Sequence, residues 1–113
     1  MSTRKTMPTT YSELVKFLDG RESRTLCNNT VAVNRLADHG HVAIRLHGHT
    51  ICEVYPDGLM ISDAGYVTTT TYDRLKRFVA PLGAAVHRRH GQGYVTLRSG
   101  AQFPITWVGV AVC

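Results

Sequence analysis

The sequence predicts an α+β domain of two layers, an antiparallel meander sheet with two short amphipathic helices on one face. Three observations carry this prediction. Apolar residues alternate with period two through several short runs, most cleanly at Val42, Ile44 and Leu46. The runs are joined by turns of only a few residues, which makes neighbouring strands antiparallel. Two other stretches, one behind Thr10 and one behind Thr71, repeat their apolar residues at helical spacing instead. A chain of 113 residues holds one domain and not two. With 43% hydrophobic residues it can form a core without covalent staples. The expected organisation is a loose arm over residues 1–9 and a single domain over 10–113.

In chain order, Met1 to Pro8 is polar and basic. Thr10-Tyr-Ser-Glu13 has the form of a capping box, in which Thr10 accepts from the backbone and Glu13 reaches back. Tyr11, Leu14, Val15, Phe17 and Leu18 share a face, and Gly20 suits a left-handed helix end, so a helix is expected over 11–19. Asp19 to Arg24 reads as a charged link, and Asn28-Asn29 as a turn. Thr30 to Leu36 is expected as the first strand, with Val31 and Val33 on one face and Thr30, Ala32 and Asn34 on the other. Asp38-His-Gly40 reads as a hairpin loop. Strands follow at His41–His47 and Thr50–Tyr55, then the turn Pro56-Asp57-Gly58 and a short strand at Leu59–Ser62. Thr70 or Thr71 is expected to cap the second helix. Asp73 falls in its first turn, where an acid suits the helix dipole, and Pro81 stops it. Leu75, Phe78, Val79 and Leu82 form its apolar stripe. Ala84–Arg89, Tyr94–Arg98 and Ile105–Val112 complete the strands.

Composition narrows the function classes. Thirteen basic against eight acidic residues give a formal net charge of +5, which favours phosphate backbones or other acidic surfaces as partners. The three cysteines, Cys27, Cys52 and Cys113, are odd in number and lack paired spacing, so no disulfide framework is expected, and Cys113 reads as an exposed thiol. Met1 to Thr10 has no apolar run of a secretory signal, and the apolar tail Ile105–Val112 is far too short to span a bilayer. A reducing cytoplasm is therefore the expected compartment, with no membrane partner.

Catalytic patterns are missing. The chain has no Gly-x-Ser-x-Gly elbow, no cysteine in a catalytic motif and no glycine-rich phosphate loop. Its acids are too scattered to predict a two-metal nuclease. The expectation is a protein that is not an enzyme and uses no cofactor. Two constellations remain. His39, His41, His47 and His49, with Cys52 nearby, are residue types that suit zinc, but each histidine pair is split by a glycine and no Cys-x-x-Cys is present. The other reading of these histidines is as polar turn and edge residues. Basic residues recur at Arg21, Arg24, Arg45, Arg74, Lys76, Arg77, Arg88 and Arg89, interleaved with Tyr66, Tyr72 and Tyr94. Arginines beside aromatics can hold phosphates and stack bases; the alternative is a solvated basic surface over core-edge tyrosines.

Four motifs in order bring in a family. Asn28-Asn29-Thr30, Ile44-Arg45-Leu46-His47, Pro56-Asp57-Gly58 and Gly65-Tyr66-x-Thr68-x-Thr70-Thr71-x-Asp73-Arg74 resemble small, uncharacterised proteins of bacteriophages and bacterial mobile elements. The resemblance covers roughly Gly20 to Val79. The chain departs from that pattern at Tyr66, where tryptophan is usual, and at Lys76, where asparagine is frequent. The resemblance implies an accessory protein acting in a bacterial host and carries over no catalytic role. Three functions follow as expectations. The first is nucleic-acid binding through the basic residues. The second is inhibition of a host protein, as in anti-defence or host takeover. The third is zinc binding through the histidines. A homodimer through a sheet edge is compatible with each.

Overall fold

The computed structural model describes residues 7–27 and 29–112. Helix α1 (Tyr11–Leu18) starts where the capping box forms in full: Thr10 Oγ1 accepts from the Glu13 backbone, and Glu13 Oε1 accepts from the Thr9 and Thr10 backbones. Leu14 and Leu18 are fully buried. Asp19 ends the helix in the left-handed region, one residue before the glycine expected there.

The main sheet has six antiparallel strands. They are β1 (Ser23–Cys27), β2 (Thr30–Arg35), β3 (His41–Leu46), β4 (His49–Tyr55), β5 (Gly58–Ile61) and β9 (Val110–Val112). Their order across the sheet is β1-β2-β3-β4-β5-β9. Register settles which side is core. Ala32, Ile44, Cys52, Ile61 and Val110 form one row across the sheet, and Asn34, Val42, Val54, Leu59 and Val112 a second. Apart from Asn34 at the end of the second row, these residues belong to one core with Leu14 and Leu18 of α1 and with Leu75, Phe78 and Val79 of α3 (Thr69–Val79). Ser23, Val33, Ala43, Glu53, Met60 and Ala111 line up on the opposite, open side. On β2, then, the buried residues are Thr30 and Ala32, while Val31 and Val33 face outward.

The remaining chain forms a second, three-stranded sheet, β6 (Ala85–Arg89), β7 (Gln92–Thr96) and β8 (Gln102–Ile105). It follows a 3-10 turn at Ala80–Leu82. Val86, Val95 and Ile105 join the main core, and α3 packs against both β4 and β6.

Several expectations are corrected. The architecture is α+β, but with two sheets rather than one. The charged link after α1 runs into an edge strand, β1, whose outer positions carry polar side chains because nothing covers them. Asp38-His-Gly40 belongs to a helical turn, α2 (Leu36–His39), closed by Gly40 at φ 73°. Ile105–Val112 is not one strand: Ile105 ends β8, and the chain then crosses to the main sheet to make β9. The cap of α3 is Thr68, whose Oγ1 accepts from the Thr71 backbone, so Asp73 lies beyond the first turn. Its carboxylate faces Arg74 Nη1 at 2.6 Å and Arg77 Nε at 3.3 Å instead of the helix N-terminus. Residues 1–6 of the expected arm, Asn28 of the expected turn and Cys113 lie outside the described residues.

Candidate functional site

A cleft of about 300 Å³ opens between the β3–β4 hairpin and the chain that leads into α3. Two tight turns make its lips. His47-Gly48 connects β3 to β4 with φ of 53° and 82°, the two-residue hairpin geometry that matches strand twist. Ala64-Gly65 repeats the pattern at 54° and 85°, closed by the Tyr66 N–H donating to the Asp63 carbonyl at 2.7 Å. Histidine is among the residues that tolerate this region; for Ala64 it is a strained conformation.

The floor of the cleft is Leu46, Ile51, Asp63 and Thr71, all buried. Its walls are His47, His49, Tyr66, Thr68 and Thr70, all exposed. His49 and Tyr66 lie ring against ring across the opening, centroids 4.6 Å apart and tilted 37°. Tyr66 remains 50% exposed at this pair. The Thr68 and Thr71 hydroxyls bond each other at 2.9 Å at the start of α3.

Asp63 is the unusual member. It is 3% exposed, and its carboxylate accepts from the Gly65 N–H on Oδ1 at 2.8 Å and from the Tyr72 hydroxyl on Oδ2 at 3.2 Å. Burial, and then the negative charge of Asp63, push the Tyr72 hydroxyl well above the usual tyrosine range. Tyr72 is held in turn from β7, where Gly93 leaves room for its ring, and by the Arg88 guanidinium, 5.5 Å from the ring centroid.

The eight basic residues are spread around the fold rather than gathered on one face. Arg24, in register with Ala32, is on the core side of the edge strand; its Nη1 donates to the Phe17 carbonyl and its guanidinium lies 4.4 Å over the Phe17 ring. Arg45 is on the open side and donates to the Gly48 carbonyl at 2.9 Å, bracing the cleft's first lip. Arg88 donates to the Val67 carbonyl and to Thr69 Oγ1, tying down the chain that leads into α3. Arg74 is tied inward: Nε donates to Thr30 Oγ1 at 2.9 Å and Nη2 to Cys27 Sγ at 3.7 Å. Arg77 pairs with Asp73, Arg89 lies over the Tyr94 ring, and Arg21 and Lys76 are exposed. Of the eight, Arg45 and Arg88 contact segments that border the cleft.

The histidines divide between the two ends of β3. His39 and His41 pack at one end, and His41 faces Glu53 at 3.9 Å. His47 and His49 are at the other end. Cys52 points into the core, where burial pushes its thiol far up. Among the described residues no three His, Cys, Asp or Glu side chains are grouped as metal ligands. No described helix is long and apolar enough to cross a membrane.

Sequence reasoning missed the cleft. Asp63 reads as a turn residue and Tyr66 as the start of an extended lead-in to the second helix, and only packing brings them to the His47–His49 turn. One signal did point there: the Leu46-His47 and Gly65-to-Thr71 motifs that carry the family resemblance supply most of the lining.

No curated protein and no solved structure matches the chain. The model of the family described as Kyanoviridae Gp96 protein matches residues 7–108, nearly the whole length, and the chain therefore belongs to that phage protein family.

Proposed function

We propose that this phage accessory protein binds single-stranded nucleic acid, without catalysis, at the cleft between the His47–His49 turn and the start of α3. The observation that carries the reading is the His49–Tyr66 ring pair lining the cleft, with Tyr66 half exposed. An exposed aromatic platform next to hydroxyls and guanidinium groups is the equipment of sequence-tolerant single-strand binding. Bases stack on the ring, and polar and cationic groups hold the backbone. Thr68 and Thr70 supply hydroxyls. Arg45, bonded to the Gly48 carbonyl, and Arg88, bonded to the Val67 carbonyl and Thr69 Oγ1, add positive charge behind the segments that border the cleft, although neither side chain lines it. The net charge of +5 draws a polyanion toward the surface.

Fluorescence anisotropy with labelled single-stranded oligonucleotides tests this. Stacking is worth about 1–3 kcal/mol per base, so Tyr66→Ala should weaken binding about five- to 150-fold. Binding should also fall with salt, with a log–log slope of about −2 if three phosphates are contacted. Absence of binding at low salt, or an affinity that Tyr66→Ala leaves unchanged, would end the proposal.

One observation favours a second reading, a host protein as partner. Phe103, Val108 and Trp107 are exposed near the β8–β9 crossing, and Trp107 is 74% exposed. Exposed aromatics of this kind often anchor protein interfaces. A pull-down from host lysate that yields one stoichiometric protein after nuclease treatment, and loses it with Trp107→Ala, would support that reading.

A further inference from the structure

Resting on the nucleic-acid reading, we infer that the cleft is selective for guanine, with Asp63 pairing to the base's Watson–Crick edge. Asp63 is a carboxylate almost wholly removed from solvent. Among the described residues it has no cationic partner: the ion pairs there use Asp73 and Glu53. Its two oxygens each accept one bond from a neutral donor, the Gly65 N–H and the Tyr72 hydroxyl. A carboxylate accepts about four, so each oxygen keeps an acceptor direction. A buried carboxylate held by neutral groups alone is costly, and a ligand bringing further N–H donors would offset that cost.

Asp63 is also at the floor of an open cleft, beneath a wall that carries Tyr66 and His49. A planar ligand stacked on Tyr66 would direct its edge inward. Among the common bases, guanine alone presents two adjacent donors on that edge, the N1–H and the exocyclic N2–H, which match a carboxylate's two oxygens. Adenine and cytosine pair each amino group with an acceptor nitrogen that a carboxylate repels. Uracil and thymine place one N–H between two carbonyls. An arginine side chain from a protein has the same donor pair. However, a chain carrying +5 disfavours a cationic ligand and favours a polyanionic one.

The test is anisotropy with short oligothymidine strands carrying one central guanine, adenine or cytosine. A preference for guanine of at least about five-fold is expected, as for a bidentate base contact. Asp63→Asn keeps the size of the side chain and should abolish the preference. The base panel on the wild-type protein decides for or against guanine even if the variant fails to fold. Equal affinity for all strands, or a guanine preference that survives Asp63→Asn in a folded variant, would overturn this inference and leave the nucleic-acid reading standing. No binding to any strand would remove both. Binding of arginine methyl ester by a protein that binds none of the strands would overturn the guanine assignment and give the cleft to a protein arginine.

Discussion

Gly93→Ala should damage both fold and cleft, because Gly93 is where the second sheet makes room for Tyr72. A Cβ at this position overlaps the Tyr72 hydroxyl and ring outright. The ring cannot give way freely. It is buried, it lies under Arg88, and its hydroxyl is bonded to Asp63. Overpacking of this kind typically costs about 1–3 kcal/mol. If the ring moves, the Tyr72–Asp63 hydrogen bond is lost inside the protein, at a further cost of about 1–2 kcal/mol. Roughly 3 kcal/mol in total, for a domain of this size, lowers the unfolding midpoint by about 10–15 °C. Thermal unfolding followed by circular dichroism would measure it. The steric origin is tested by a double-mutant cycle with Tyr72→Ala, which clears the space. The pair should be at least about 1 kcal/mol less destabilised than the sum of the single variants. A Gly93→Ala midpoint within about 2 °C of wild type, or strict additivity in the cycle, would refute this packing argument.

Tyr72→Phe removes a donor to buried Asp63 and should cost about 1–2 kcal/mol. The wild-type hydroxyl is raised above its unfolded value, so its contribution is complete below about pH 10 and is lost as pH rises beyond that. Alkaline denaturation should therefore flatten in Tyr72→Phe, and an unchanged profile would count against the Tyr72–Asp63 contact. Thr10→Ala should cost about 1 kcal/mol by chemical denaturation, because it opens the capping box. The Glu13 carboxyl is lowered by the Thr9 and Thr10 backbone N–H groups, so the contribution of Glu13 should be present above about pH 4 and fade below it. Arg74→Ala should lower stability by about 1–2 kcal/mol, with little effect on oligonucleotide affinity at a temperature where it stays folded, since Arg74 is already engaged by Asp73, Thr30 and Cys27. Arg74→Lys should recover only part of this, because an ammonium cannot reproduce the guanidinium fork.

These residues also show what could be read from the sequence. Helix α1 was legible because its signal is local: Thr10, Glu13 and the 14/18 spacing lie within three turns. The β3–β4–β5 meander was legible because period-two alternation and Pro56-Asp57-Gly58 coincide. Strand β1 was not, because an edge strand with polar outer positions has the composition of a loop. The split of Ile105–Val112 was hidden because one apolar run serves two sheets, and pairing partners far away in sequence decide where it divides. Arg45 stands mid-strand between Ile44 and Leu46. It sits on the side of the sheet that no helix covers, where an arginine is acceptable, and it braces Gly48. The basic residues singled out by charge include two that contact segments bordering the cleft, but charge alone could not separate Arg45 and Arg88 from Arg74 and Arg77, whose partners come from folding. Asp63 carried no signal, since nothing in a turn's composition reveals that its carboxylate will be buried at the base of a cleft.

The most direct measurement is a backbone-amide NMR titration of the whole protein with a single-stranded oligonucleotide at low salt. If the cleft binds nucleic acid, the largest shift changes will fall on His47–His49 and on Asp63–Thr71, with smaller ones near Arg45 and Arg88. Changes centred on Phe103–Val108, or no changes at all, would contradict the assignment of the cleft as a nucleic-acid site.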